Sequence, residues 1–444
     1  MHTKSLYILA TTLLISLLAM GCSSSSDAEN GGAENGGAET SDSDTNGETD
    51  GSWQAPEIDE EERKPLLLIG VDGVKPSYLE EGFASTPNFD RLADDGVLAE
   101  SLKPVFPSHT FPNLYSIVTG LYPGNHGIVG NTVYDPDRDE TLSMRDNEAQ
   151  TDPAWWGGEP IWATVETQGL RAGTFFWVGS EAKIGGVEPT HYVSYNSMIP
   201  HNARTDQVAN WLTDDDEPVD FATLYFASPD GAGHEHGPEA PEVVNAIEGV
   251  DHQLGRLINQ LESRGLWPDI NVIILSDHGM IELDEDKVIF LDDIIDLRDV
   301  DVVEWSPVAM INPEPGKSDA VYDALKAEED NFSVYRREDL PDRYNLNSHP
   351  RVADIVVIAD LPYSLGSRYF HSQQGLFSGG HGFDPEYPEM HGFFLAHGPD
   401  FPAGERTDTL KLVDIYALMT HLLVLEPAEH DGSLERIGTQ IFGE

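Results

Sequence analysis

Four short segments carry acids and imidazoles beside glycine. "PLLLIGVDG" ends on Asp72, "VDFATLYFASPDGAGHEHGP" brings Asp230 and His234, "NVIILSDHGM" brings Asp277 and His278, and "SGGHGFDP" holds His381. Mixed aspartate and histidine donors suit zinc, which usually takes four ligands, or three from protein when one position stays open. Six donors are too many for one tetrahedral site. They suit two sites of three protein ligands each, or one site completed by a hydroxyl. The flanking glycines permit tight turns and close backbone approach. A lone Asp-Xaa-Xaa-Xaa-His is usually a surface loop, and Asp277 with His278 could be a structural pair at a strand end. The weight lies in four such segments in one chain.

The hydroxyl comes from "FPSHTFPNLYSIVTG", Phe106 to Gly120, where Thr110 stands between Pro107 and Pro112. That proline pattern excludes a sheet interior and predicts a helix starting only after Pro112. Thr110 is then either an N-cap or a reactive group. A threonine hydroxyl is a poor nucleophile at neutral pH. A bound metal can lower the pKa of a coordinated water to roughly 7 and should act similarly on an alkoxide. The positive end of the helix dipole works in the same direction.

These residues need elements to hold them. "PLLLIGV" and "NVIIL" read as buried parallel strands with functional groups at their carboxyl ends, and "VDFATLYF" follows the same logic. Helical segments lie between, among them "TPNFDRLADDG". "PEVVNAIEGVDHQLGRLINQLESRG" places Val244, Ile247, Val250, Leu254, Leu257, Ile258 and Leu261 on one face. Alternating strands and helices predict an α/β fold with a mostly parallel sheet covered on both faces and ligands outside the strand carboxyl ends. From about 282 to 377, short strand-like runs such as "VAMINPEP" and "ADIVVIADLP" suggest a small inserted α+β lobe.

Composition narrows the class. The chain has 444 residues, enough for a large core, and 39% are hydrophobic. It carries 79 acidic against 25 basic residues, a formal net charge of −54, which disfavours binding to nucleic-acid polymers. Cys22 is the only cysteine, so no internal disulfide can form. It follows a short apolar run ending at Met20 and Gly21, a pattern resembling a bacterial lipoprotein signal over residues 1–21. Residues 22–63 are acidic and rich in Ser and Gly, with the repeat AENGG, and read as a flexible tether. Folding is expected from Lys64 to the end. The expected address is the bacterial cell envelope, at the outer membrane or periplasmic face, with Cys22 lipidated. The oligomeric state is not legible.

Taken together, "LLLIGVDGV", "FPSHTFPNLYSIVTGLYPGNHGIVGN", "WWGGEPIWATVETQGLRAGTFFWVGSE", "SPDGAGHEHGP", "LSDHGM" and "GGHGFDPEYPEMHGFFLAHGP" resemble the nucleotide pyrophosphatase/phosphodiesterase family of the alkaline phosphatase superfamily. The resemblance runs from Pro65 to about Leu425. It implies an alkaline-phosphatase-like fold and two zinc ions. Asp72, Asp277 and His278 would hold one, which also binds Thr110, and Asp230, His234 and His381 the other. It makes Thr110 the nucleophile, Asn131 a donor to a phosphate oxygen, and Phe111 and Tyr195 the two faces of a nucleobase slot; on residue type alone both aromatics would read as core. The implied activity is hydrolysis of nucleotide phosphodiester or pyrophosphate bonds through a threonyl-nucleotidyl intermediate. His109 departs from the lysine common at that position. A phosphomonoesterase of the same fold is the alternative, and a surface binding protein on an inactive scaffold a lesser one. A sulfatase would need a Cys or Ser nucleophile that "HTFPNLY" lacks.

Overall fold

A computed structural model describes residues 53–346 and 349–443. The N-terminal segment proposed as signal and tether, with Cys22, lies outside the described residues up to Ser52. The described chain begins at Trp53 rather than Lys64: the Trp53 indole N–H donates to the Gly443 carbonyl at 3.0 Å. Its ring rests against Gly438, where a Cβ would come within 2.1 Å of it. No helix of the described residues is long and apolar enough to cross a membrane.

The central sheet has eight strands: β1 (Leu66–Val71), β2 (Val97–Ala99), β3 (Ala172–Phe175), β4 (His191–Val193), β5 (Phe221–Phe226), β6 (Asn271–Leu275), β7 (Phe394–His397) and β8 (Glu405–Thr407). Their spatial order is β8-β2-β7-β6-β1-β5-β3-β4. Only β7 runs against the rest, pairing antiparallel with β6 and β2. Every residue of β1, β5 and β6 is buried, which is why these strands read as unbroken apolar runs rather than alternating ones. The Pro87–Asp94 and His201–Leu212 helices pack with the long Pro241–Ser263 helix; Ile161–Thr167 and Ile415–Leu422 pack with α1 (Thr110–Thr119). In the Pro241–Ser263 helix the apolar stripe begins at Val243, which is buried, and not at Val244.

A second antiparallel sheet joins Val300–Glu304, Val308–Pro313, Ile355–Ala359 and Phe332–Arg336 in that order. It has its own apolar core, including Ile311, Leu325, Val334 and Val357. Its first strand carries a register shift between Val302 and Glu304, an irregularity that re-aims the Glu304 side chain.

The placement of β1 decides the site. Its neighbours are β6 and β5, in register with Gly70 opposite both Leu275 and Tyr225. Asp72 therefore emerges between Asp277, two residues past β6, and α2 (Ser228–His236), which follows β5.

Candidate active site

α1 begins at Thr110, two residues before the proline expected to precede it. Pro112 is tolerated because the first-turn N–H groups of a helix have no internal partner to lose. His109, not Thr110, occupies the cap position, and its side chain makes no capping bond. Another orphan donor of that turn, the Phe111 N–H, is accepted by Asn131 Oδ1 at 2.9 Å. The Asn131 carboxamide NH2 is thereby turned away from Phe111. The preceding loop is held by Asn113, whose side chain accepts from Val105 N–H at 2.7 Å and donates to the Pro107 and His109 carbonyls.

The glycine-rich "SPDGAGHEH" is a helix rather than a loop, so Asp230 and His234, four apart, share one face. Gly73 makes the approach to it possible. It has φ +69°, and a Cβ there would sit 2.9 Å from Asp230 Cα.

All six expected ligands come together, in two triplets. Asp72, Asp277 and His278 form one, and Asp230, His234 and His381 the other; within each, the donor atoms lie within 4.8 Å of one another. His278 Nε2 lies 3.2 Å from Asp72 Oδ1 and 3.3 Å from Asp277 Oδ2. Thr110 Oγ1 is 3.2 Å from the same nitrogen. In the second triplet His234 and His381 Nε2 lie 3.4 and 3.5 Å from Asp230 Oδ1. The His278 and His381 rings stack at 3.6 Å between centroids, joining the two groups.

The ring tautomers are set from behind. His234, His278 and His381 place Nδ1 at 2.9 Å from the carbonyls of Gly379, Gly279 and Ser108. A carbonyl only accepts, so each Nδ1 carries a proton and each ring aims its Nε2 into the cluster. Facing them, Asp72 Oδ1, Asp230 Oδ1 and Asp277 Oδ2 are buried with no hydrogen-bond partner. Converging carboxylate oxygens and imidazole nitrogens of this kind could each hold a metal ion.

Burial, with Asp72 adding to it, raises Asp230 to about 6 and lifts Asp277 well above the carboxylate range. Burial alone would lower His278, but Asp277 and Asp72 raise it to about 10. Burial and the neighbouring His278 drive His381 well below the usual imidazole value. Two stacked imidazoles thus shift in opposite directions. His109 is buried and lowered to about 3 by burial and His278, so it brings no charge.

A cavity of ≈ 270 Å³ opens beside the triplets. Thr110, Asp72, Asp230, Phe111, Trp177 and Tyr195 contribute to its wall. Phe111 and Trp177 are buried, whereas Tyr195 is exposed, and the Tyr195 ring lies 5.2 Å from that of Phe176. Both aromatics named from the sequence therefore reach the cavity that holds Thr110.

Type and spacing did not reveal three supporting residues. Tyr225, inside β5, donates its hydroxyl to Asp72 Oδ2. Its one signal is a polar-tipped aromatic within an apolar strand. Ser276 accepts from Val74 N–H at 2.9 Å and donates to the His278 carbonyl at 2.8 Å, tying β1 to β6 above the ligands. Glu304, from the lobe, accepts from Thr132 N–H at 2.8 Å, immediately beside Asn131.

Comparison with known proteins agrees with this geometry. The model of the type I phosphodiesterase / nucleotide pyrophosphatase family matches residues 66–384. The chain belongs to that family. It is 38% identical over 371 residues to the human bis(5'-adenosyl)-triphosphatase ENPP4, covering 83% of this chain and 80% of the relative. It is 36% identical over 382 residues to the venom phosphodiesterase of Macrovipera lebetinus, covering 84% of this chain and 44% of that longer protein. The solved structure of murine ectonucleotide pyrophosphatase/phosphodiesterase 5 superposes with a TM-score of 0.81 at 34% identity, over 85% of this chain and all of that one. An inactive threonine-to-alanine form of the murine protein has been solved in complex with AMP. The fold of this family member is alkaline-phosphatase-like. It is an enzyme of the phosphodiesterase and nucleotide pyrophosphatase kind, in a metal-dependent family, with two candidate metal-binding groups in place.

Proposed function

We propose that this protein hydrolyses nucleotide phosphodiester and pyrophosphate bonds through a covalent threonyl-nucleotidyl intermediate and releases nucleoside monophosphates. The carrying observation is the position of Thr110: its hydroxyl stands at a helix start, 3.2 Å from His278 Nε2, in the wall of an aromatic cavity. Asp72, Asp277 and His278, with Thr110, would hold one zinc ion, and Asp230, His234 and His381 a second. Bound there, zinc lowers the pKa of a hydroxyl and stabilises charge building on phosphate oxygens.

The protein's own groups account for the rest. Thr110 Oγ attacks phosphorus in line, the bond to the leaving oxygen breaks, and water later cleaves the threonyl ester. Asn131, held through its Oδ1 by the Phe111 N–H, is free to turn its NH2 toward a non-bridging oxygen. Phe111 and Tyr195 supply the two faces of a base slot that tolerates any nucleobase. Tyr225 fixes the rotamer of Asp72.

Diesters should be favoured over monoesters. A monoester brings an additional charged oxygen that needs a cation. Lys75 is paired with Glu239 at 2.8 Å, Lys103 with Glu386 at 2.7 Å, and Arg138 with Glu140 and Asp152. His109 is neutral. An ester group in place of that oxygen needs no cation.

The test is turnover of the p-nitrophenyl ester of thymidine monophosphate by Thr110→Ala and Thr110→Ser, with zinc content measured on the same samples. The alanine form should lose turnover and keep its metal and fold; the serine form should retain partial activity. Near wild-type turnover by Thr110→Ala would reduce Thr110 to a structural residue.

A further inference from the structure

The base cavity occupies one flank of the site. Phe176 and Trp177 follow β3 and Tyr195 follows β4, both on the far side of β5 from β1. The opposite flank is built differently. There the chain leaving β6 pairs with the strand before His381, with Ile281 opposite Gly380 and Glu282 opposite Gly379. Two residues before Gly379 stands Phe377, which is 64% exposed. Its ring centroid is 5.3 Å from that of His234, a member of the second triplet. Further up the same segment Tyr369 and Phe370 are also exposed, with Phe370 edge-on to Trp305 at 5.7 Å.

An in-line displacement fixes what must lie on this flank. The nucleophile, phosphorus and leaving oxygen are collinear, and the retained nucleotide takes the Phe111–Tyr195 slot. The leaving group then departs past the other flank, along His234 and His381. Basic side chains near that exit are already engaged: Lys75 by Glu239, and Arg368 by Asp293. The flank therefore offers an aromatic face to the departing group in place of a free cation.

We propose that Phe377 is a stacking platform for a nucleobase on the leaving group. This rests on the phosphodiesterase reading above and extends it to the substrate class.

The experiment uses the zinc-loaded protein and two diesters with the same retained half: adenylyl-(3′→5′)-adenosine, whose leaving group is adenosine, and the methyl ester of AMP, whose leaving group is methanol. The ratio of kcat/KM for the first over the second is compared in wild type, Phe377→Ala and Phe377→Trp. Stacking losses of about 1–3 kcal/mol per base correspond to a fall of about 5- to 150-fold in that ratio for the alanine form, carried mainly by KM, with the ratio restored by tryptophan. An alanine variant with an unchanged ratio, or a tryptophan variant that behaves like alanine, would overturn the platform while leaving the phosphodiesterase reading intact. A wild-type protein that cleaves neither diester would overturn that reading and the platform with it.

Discussion

Replacing Asp277 by asparagine separates a metal ligand from a structural ion-pair partner. Donor atoms of the first triplet lie within 4.8 Å of one another, and two unit charges at that distance repel by about 3.5 kcal/mol at an effective dielectric near 20. Asp277 is fully enclosed, and its carboxyl is pushed well above the ordinary range by burial and by Asp72. Without a cation, an ionised Asp277 therefore opposes folding. Asp277→Asn removes one of the negative charges while keeping the side-chain shape. In chelator the variant should match wild type or exceed it by about 1–3 kcal/mol, because burial and Asp72 together penalise the Asp277 charge by more than His278 favours it. In excess zinc the order should invert. An ion at a hundred times its dissociation constant stabilises the native state by about 2.7 kcal/mol, and the variant should forfeit that for this triplet. Scanning calorimetry at pH 7 in EDTA and in zinc, with metal content measured by mass spectrometry, reads both arms. A variant destabilised by about 3 kcal/mol or more in EDTA would refute the reasoning, since that is the cost of breaking a buried ion pair.

Three further outcomes follow from the same structure. Burial raises the Glu304 carboxyl to about 7, so the folded state holds its proton where the unfolded chain has released it; stability should fall as pH rises from about 4.5 to 7, by up to about 3 kcal/mol, and Glu304→Gln should flatten that decline in urea titrations across pH. Tyr195→Ala should raise KM for a nucleotide substrate and change little for a small bis-nitrophenyl phosphodiester; equal losses on both would make Tyr195 structural. Cys22→Ser should move the full-length protein from the membrane fraction to the soluble fraction of a bacterial host, and a wild-type protein found wholly soluble would contradict lipid anchoring.

Much of the site was legible in the sequence because its chemistry is local. Asp72, Asp230, Asp277 and their histidines sit where apolar runs stop, and a buried strand must end in polar residues before the chain can turn. The aspartate and histidine types pointed to metal binding, and they stand in the structure as two triplets, with Thr110 Oγ1 3.2 Å from His278 Nε2 of the first. The α/β class was equally plain from runs of apolar residues alternating with helical periodicity.

Other features depended on which elements lie side by side. That β1 lies between β6 and β5, and so divides the ligands into these two triplets, is a matter of strand order, which no local pattern encodes. The same holds for antiparallel β7, for Tyr225 reaching Asp72 across β1 and β5, and for Glu304 crossing from the lobe to Thr132. The helix start at Thr110 was misplaced because proline was judged without the first-turn exemption, and Asn131, 20 residues on, satisfies the Phe111 N–H there. Sequence determined which groups this protein possesses, since residue type carries donor chemistry directly. Tertiary structure alone decided which groups stand together in each triplet and which flank carries the exposed Phe377, because those depend on long-range pairings between segments whose own sequences are silent about their neighbours.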